Sequence, residues 1–341
     1  MDSQPQTIFV TGGTGFIGSH VTEELLRQGY RVLCAARASP KTTNFKNHYS
    51  KISEENRFQL VEIPDITTAQ LQDVFREVDA VIHLASPPGR ATAEQIYEGA
   101  VEGTLNLLKQ AEKAGVRRVV ITGMIQTGKL ERHLETREEV LQCTDPFTIY
   151  ESCKVISEKA VWEWAATHPQ VDITYVTLPL TYGPHAASSH FPSPAFPGVN
   201  TYIYHLIVPD GAYPSTGYYV DVRDAAKAHV LALKSPLVSS PTEKKQITFV
   251  SPEVVDPGRA VSLLAEKRPA LKDRLIRGEP PVLDEKPLAC DFGKIQAILG
   301  FSKADFTSFE TTILDTIDDY VEIESRWIKD GYTTFTIPHY G

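Results

Sequence analysis

The stretch that most constrains this chain is Thr7-Ile-Phe-Val-Thr-Gly-Gly-Thr-Gly-Phe-Ile-Gly18. Thr7 to Val10 are β-prone and mostly apolar, as a buried parallel strand requires. Glycines follow at 12, 15 and 18, and Phe16 to Arg27 then form an amphipathic run. Strand, glycine turn and helix in that order make a cradle for a dinucleotide. Gly12 permits the tight turn, Gly15 lets backbone approach a pyrophosphate, and Gly18 lets the helix pack close on the strand. The helix N-terminus then turns unpaired N–H groups towards the phosphates. Gly12, Thr14, Gly15, Phe16 and Ile17 are the candidate contacts.

The next hundred residues keep alternating strand and helix, which turns a weak glycine signal into a strong one. Arg31 to Ala36 reads as the second strand. An NAD site places an acid after this strand, to accept from the ribose 2′-hydroxyl. Here Arg37 stands there, with Lys41 four residues on, and two cations suit a 2′-phosphate. The expected cofactor is therefore NADP(H).

Arg57 to Glu62 is the third strand, and Asp65 and Ile66 just beyond it border the adenine. Residues 67–77 read as a helix and Ala80 to Ala85 as the fourth strand. Its exit through Leu84, Ala85, Ser86 and Pro87 runs beside the middle of the cofactor. His83, inside that apolar strand, reads as a core histidine. Ala91 to Gly115 is a long helix ended by glycine, and Arg117 to Thr122 the fifth strand. Five strands with helical crossovers predict a doubly wound parallel sheet.

Tyr150-Glu-Ser-Cys-Lys154 opens a helix running to about His168. The spacing puts Tyr150 and Lys154 on one helical face, one turn apart. Such a pair arises easily by chance, but its place after the fifth strand of a dinucleotide fold gives it meaning. A phenol of reference pKa near 10 is a poor acid–base catalyst at neutral pH. A neighbouring ammonium and a positively charged nicotinamide favour the phenolate and lower that value.

Composition excludes several classes. The 341 residues are 42% hydrophobic and 23% charged, with no apolar run long enough to cross a bilayer. Met1-Asp-Ser-Gln-Pro-Gln is polar and does not read as a signal peptide. A net charge of -9 argues against nucleic-acid binding. The expectation is a cytoplasmic monomer or homodimer acting on a small molecule, away from membranes. Cys34, Cys143, Cys153 and Cys290 lack CxxC spacing and read as reduced thiols.

These motifs together resemble an extended short-chain dehydrogenase/reductase of the NAD-dependent epimerase/dehydratase superfamily. The branch is that of dihydroflavonol-4-reductase and NADPH-dependent aldehyde and ketone reductases. The resemblance is carried by Thr11 to Gly18, Ala36-Arg37 with Lys41, Val81 to Pro87, Glu102 to Asn106, and Tyr150 with Lys154. Leu178-Pro179, Tyr182-Gly-Pro184, Tyr219 to His229 and Asp291 to Phe301 extend it over nearly the whole chain. It implies that Tyr150 donates a proton and Lys154 holds the nicotinamide ribose. It also implies that the strand exits at Ala85, Thr122, Pro179 and Leu180 line the cofactor.

One departure is serious. The family ends its fifth strand with Thr-Ser-Ser, and the last serine hydrogen-bonds the substrate carbonyl. This chain reads Ile121-Thr-Gly-Met124, and a thioether is a weak acceptor with no proton to give. Losing one donor to a developing oxyanion costs about 10²–10³ in rate. Thr122 or Thr127 would stand in only through a shifted loop. The tetrad asparagine of other short-chain reductases is absent too, with Ala100 in its place.

From Tyr182 to Tyr219 the chain is rich in Pro, His and aromatic residues and poor in periodicity. Long irregular segments in compact domains are usually functional, and in the family this region shapes the substrate pocket. Pro87, Met124, Thr127, Tyr182, Phe191 and Tyr202 are the candidate walls. His185 and His190 lack companions at ligand spacing, so no metal is expected. Val220 to Ser235 reads as a helix, and Phe309 to Trp327 as an amphipathic one. The expected fold is α/β, a Rossmann-type doubly wound parallel sheet with a smaller C-terminal substrate lobe. Residues 1–178, with help from about 217–250, form the NADP(H)-binding domain; 179–341 form mainly the substrate lobe, interleaved with it. Three functions fit: an NADP(H)-dependent carbonyl reductase, a non-redox isomerase, dehydratase or cyclase on the same fold, and a nucleotide-binding sensor.

Overall fold

The computed structural model describes residues 6–87, 91–125, 134–189, 192–193, 198–237, 243–283, 288 and 290–332, except for the side chains of Pro40 and Lys41. The chain begins β1 (Thr7–Thr11), α1 (Phe16–Arg27), β2 (Arg31–Ala36), α2 (Pro40–His48), α3 (Ser50–Glu54), β3 (Phe58–Glu62), α4 (Gln72–Phe75) and β4 (Ala80–His83). Then come α5 (Ala93–Tyr97), a π-helical segment (Glu98–Glu102), α6 (Gly103–Lys113), β5 (Arg118–Met124), α7 (Arg137–Gln142), α8 (Pro146–Thr167) and β6 (Asp172–Leu178). The remainder holds β7 (Leu180–Tyr182), α9 (Thr201–Tyr204), β8 (Tyr219–Asp221), α10 (Val222–Ala232), β9 (Lys245–Thr248), α11 (Pro257–Lys267), α12 (Phe292–Leu299) and α13 (Phe309–Lys329).

Seven strands form one sheet in the order β3-β2-β1-β4-β5-β6-β9, and every pairing is parallel. From β1 the chain winds one way to β3, then returns to β4 and winds the other way. The reversal leaves a crevice at the carboxyl ends of β1 and β4, where open α/β sheets bind ligands. This is the Rossmann-type architecture that the sequence implies.

Alternate residues of each strand feed two apolar layers, as a sheet buried on both faces must. Val10, Cys34, Ile82 and Val120 meet α1 and α10, joined by Ile295, Leu299 and Phe301 around α12. Phe9, Val81, Ile121 and Tyr175 meet α6 and α8 through Leu107, Leu108 and Val161. A third core, around Tyr182, Tyr204, Tyr219, Ile313, Ile317 and Tyr320, builds the second lobe. β7 and β8 pair as a small sheet of their own between the lobes. No helix among the described residues is long and apolar enough to cross a membrane.

Several expected boundaries shift. The helix expected over 67–77 shrinks to α4. Asp65 takes the amide of Thr67 at 2.9 Å and the Thr67 hydroxyl at 2.7 Å, and such local side-chain bonds compete with helix formation. The helix of Tyr150 begins at Pro146, because Asp145 caps it through the Thr148 amide at 2.8 Å and proline suits the first position. Tyr150 thus sits in the second turn. β5 runs on to Met124 rather than ending at Thr122. The helix expected from Val220 starts at Val222, since Val220 and Asp221 belong to β8.

Candidate active site

The glycine turn is held by backbone contacts that leave no room for side chains. Gly12 has φ +71, a left-handed value that glycine adopts without penalty. A Cβ there would come 2.8 Å from the Ala85 amide nitrogen. At Gly18 a Cβ would collide with the carbonyl of Gly12, so α1 abuts the turn as closely as backbone allows. Gly15 caps α1 without a side chain, leaving the first-turn N–H groups bare. Gly13, unremarked in the sequence reading, has the same role inward: a Cβ would lie 2.5 Å from Cys34 Sγ.

Across the crevice, β4 is fixed to β1 by a network that no local pattern announces. Ala85 N–H donates to Thr11 Oγ1 at 3.2 Å, and Thr11 Oγ1 lies 2.7 Å from His83 Nδ1. His83 Nε2 lies 2.9 Å from Thr104 Oγ1, which donates to the Ala100 carbonyl at 2.8 Å. Ser157 Oγ of α8 donates to the same carbonyl at 2.6 Å. With the Thr104 proton spent on Ala100, His83 must carry its own proton on Nε2 and accept from Thr11 on Nδ1. Every member is then satisfied by a neutral imidazole. Burial, helped by the nearby charge of Lys154, lowers the His83 pKa to about 3. The core reading of His83 agrees with this placement.

Beyond His83 the strand exits past Leu84 and Ala85. Ser86 Oγ is buried and finds no partner among the described residues, an orphan that suits a hydroxyl-rich ligand crossing this exit. Pro87 packs into the space left by Gly99 of the π-helical segment. Local π geometry of this kind is frequent at functional sites.

Tyr150 and Lys154 project from α8 on one face, with Lys154 Nζ 5.9 Å from the Tyr150 ring centroid. The phenol ring packs on a small core of Ile96, Ile149 and Cys153. Burial pushes the Cys153 thiol up to about 11, which leaves it a packing group.

Other candidates disperse. Arg37 is exposed beyond β2, its carbonyl accepting from Thr42 Oγ1 at 2.6 Å; the Lys41 side chain is outside the described residues. Asp65 is engaged by Thr67 and Thr68, bonds that lower its pKa. The Ile66 carbonyl accepts from Asn106 Nδ2 at 2.8 Å. Pro179 and Leu180 carry the chain from β6 into β7. Thr122 Oγ1 is 2.8 Å from His229 Nε2, and His229 Nδ1 reaches the Ala225 carbonyl at 2.7 Å. The ring therefore donates to Ala225 and accepts from Thr122, and its pKa falls to about 4 through burial. That removes the Thr122 hydroxyl as a stand-in donor.

On the substrate side, Met124 is half-buried at the end of β5. Tyr202 is half-buried against the second-lobe core. Tyr182, expected on the pocket wall, is 0% exposed within that core, with the Tyr219 ring stacked 6.3 Å away. Thr127, His190 and Phe191 lie outside the described residues. His185 is oriented by Asp319 through Nδ1 at 2.7 Å, and no metal-binding cluster occurs among the described residues.

The sequence profile of the NAD dependent epimerase/dehydratase family matches residues 8–244. The chain belongs to that family. Within it, the NADPH-dependent methylglyoxal reductase of Saccharomyces cerevisiae is 27% identical over 94% of this chain and 99% of its own. A ketoreductase of Penicillium rubens is 32% identical over 68% of this chain and 73% of its own. Among solved structures, Gre2 in complex with NADPH from Candida albicans shares the fold at TM-score 0.77 and 23% identity, covering 94% of this chain and 99% of that one. Membership of the epimerase/dehydratase family accords with the glycine cradle and with the paired Tyr150 and Lys154.

Proposed function

We propose that the protein is an NADP(H)-dependent oxidoreductase that reduces the carbonyl of a small apolar or aromatic metabolite to an alcohol, or runs the reverse. The observation that carries this is Tyr150 and Lys154 on one face of α8, with Lys154 Nζ 5.9 Å from the Tyr150 ring centroid, in a chain whose first strand leads into the glycine turn. The reductase and ketoreductase relatives support the same chemistry. Gly12, Gly15 and the bare first turn of α1 would hold the pyrophosphate, Arg37 the 2′-phosphate and Ser86 the middle of the cofactor. Bound NADPH supplies a hydride.

The protein supplies the rest. Tyr150 holds the proton that the carbonyl oxygen receives as it becomes an alcohol. Lys154, one turn away on the same face of α8, would bind a ribose hydroxyl. The fixed β4 exit and α8 hold these groups in register, which preserves near-attack geometry. Tyr150→Phe removes one hydroxyl. It should lower turnover with methylglyoxal by about 10³ or more, while NADPH binding, read by calorimetry, stays within about twofold. Full activity in the variant would end the assignment.

The missing serine favours a second reading, chemistry without net redox change. Met124→Ser separates the two. A reductase working short of one oxyanion donor should gain about tenfold in NADPH oxidation. A site shaped for non-redox chemistry should lose its native turnover and gain no cofactor consumption.

A further inference from the structure

One face of the cofactor helix is gripped by chain from the second lobe. Phe16, Ser19, His20 and Glu23 stand at i, i+3, i+4 and i+7 of α1 and so share a face. Each meets one residue of the segment 184–189, which leaves β7. His20 Nε2 lies 2.9 Å from the Pro184 carbonyl, which can only accept, so the ring donates. The His185 ring packs on Phe16 with 5.1 Å between centroids. Ser188 donates to Glu23 Oε1 twice, from its amide at 3.3 Å and from its hydroxyl at 3.0 Å. Ser19 Oγ donates to the Phe16 carbonyl at 3.0 Å. That leaves Ser189 as the donor in the 2.7 Å contact between the two serine hydroxyls.

The segment is itself anchored in the second lobe. Asn200 Nδ2 donates to the Gly183 carbonyl at 2.7 Å. Asp319 of α13 accepts from the His185 amide at 3.2 Å and pairs with His185 Nδ1 at 2.7 Å. Ser188 and Ser19 are buried, and hydrogen bonds withdrawn from water are costly to leave unmade. Phe16 is the first residue of α1, in the turn that no side chain caps. The segment thus bears on the phosphate-binding end of α1 while its root stays in β7.

We propose that Glu23, Ser19 and His185 are positioning residues for the cofactor. Through the segment 184–189 they hold the first turn of α1 where its N–H groups would meet the pyrophosphate. Docking of the segment on α1 and binding of NADP(H) are then linked, and each favours the other by the same factor. The inference rests on the reading of α1 as the pyrophosphate helix.

Calorimetry with NADPH on Glu23→Ala tests the link. The change removes the acceptor of both Ser188 bonds and should raise the NADPH Kd by about fivefold or more, the low end of coupling between sites. Glu23→Gln keeps a carbonyl oxygen that accepts, and should bring the Kd back to within about twofold of wild type. Ser188→Ala keeps the amide bond and should raise the Kd by a smaller factor; with Glu23→Gln it carries the comparison should Glu23→Ala fail to fold. Reciprocity supplies a second readout. Hydrogen exchange of a peptide spanning 184–189 should slow when NADPH binds the wild type, and slow less in Glu23→Ala. A Glu23→Ala protein that melts lower yet keeps the wild-type Kd would reduce the segment to a structural tie and overturn the proposal. So would a wild type that binds NADPH with exchange at 184–189 unchanged. A wild type that binds no NADPH would instead overturn the cofactor reading, and the proposal with it.

Discussion

The crevice end of the nucleotide half and the second lobe are fastened by opposite chemistry. Around the crevice the fastenings are neutral: Thr11 to His83, His83 to Thr104, Thr104 and Ser157 to the Ala100 carbonyl, Thr122 to His229. In the second lobe they are ionic. Arg274 forks onto Glu324 at 2.7 Å, and Tyr204 donates to the same carboxylate at 2.7 Å. Arg223 bridges Asp221 and Asp315, and His185 rests on Asp319. A phosphate-binding crevice held by neutral groups presents its own dipoles to the ligand without a competing charge. The second lobe has little regular structure between β7 and β8, and buried ion pairs there select one packing of an irregular chain.

The sharpest way to break this contrast is Arg274→Ala. It leaves Glu324, 4% exposed, without its guanidinium, and should destabilise the protein by about 3 kcal/mol in denaturant melts. NADPH affinity measured in the folded protein should hold. The converse variant is Arg37→Asp. It should spare stability and shift the NADPH-to-NADH affinity ratio by about tenfold or more towards NADH, read by calorimetry with both cofactors. Equal affinities in the wild type would remove the argument from Arg37.

The contrast also carries a pH dependence. His83 and His229 have folded pKa values of about 3 and about 4, below the ordinary 6.5. The unfolded chain therefore binds protons first as pH falls. The stability that these rings confer is full above about pH 6.5 and drains away between there and about pH 4. Melting temperatures of wild type and His83→Gln across that window isolate the share of His83. The variant should show the flatter slope, and parallel curves would refute the neutral network.

Much of the fold was legible in the sequence because its signals are local. The glycine turn, the strands from β1 to β5 and the pairing of Tyr150 with Lys154 are each written within about a dozen residues. What escaped depends on partners far along the chain. Thr122 reads as a free hydroxyl until His229 arrives from α10, and Gly123 reads as a gap until Tyr175 covers it. Tyr182 reads as an aromatic wall until Tyr219 stacks on it. The shortened α4 could have been found, since Asp65 followed by two threonines is a local turn signal.

Phe301 meets Phe249 edge-on and Phe306 stacks on it, with ring centroids 5.2 and 4.9 Å away, at the flank of the first core that also takes Ile295 and Leu299 of α12. During synthesis this has a cost in time. The ribosome delivers the glycine cradle first, yet the sheet lacks its last strand until β9 emerges and its apolar flank stays uncovered until α12 does. For most of translation the nascent half-sheet must wait with an open edge, in the state most exposed to mispairing and most in need of chaperone cover.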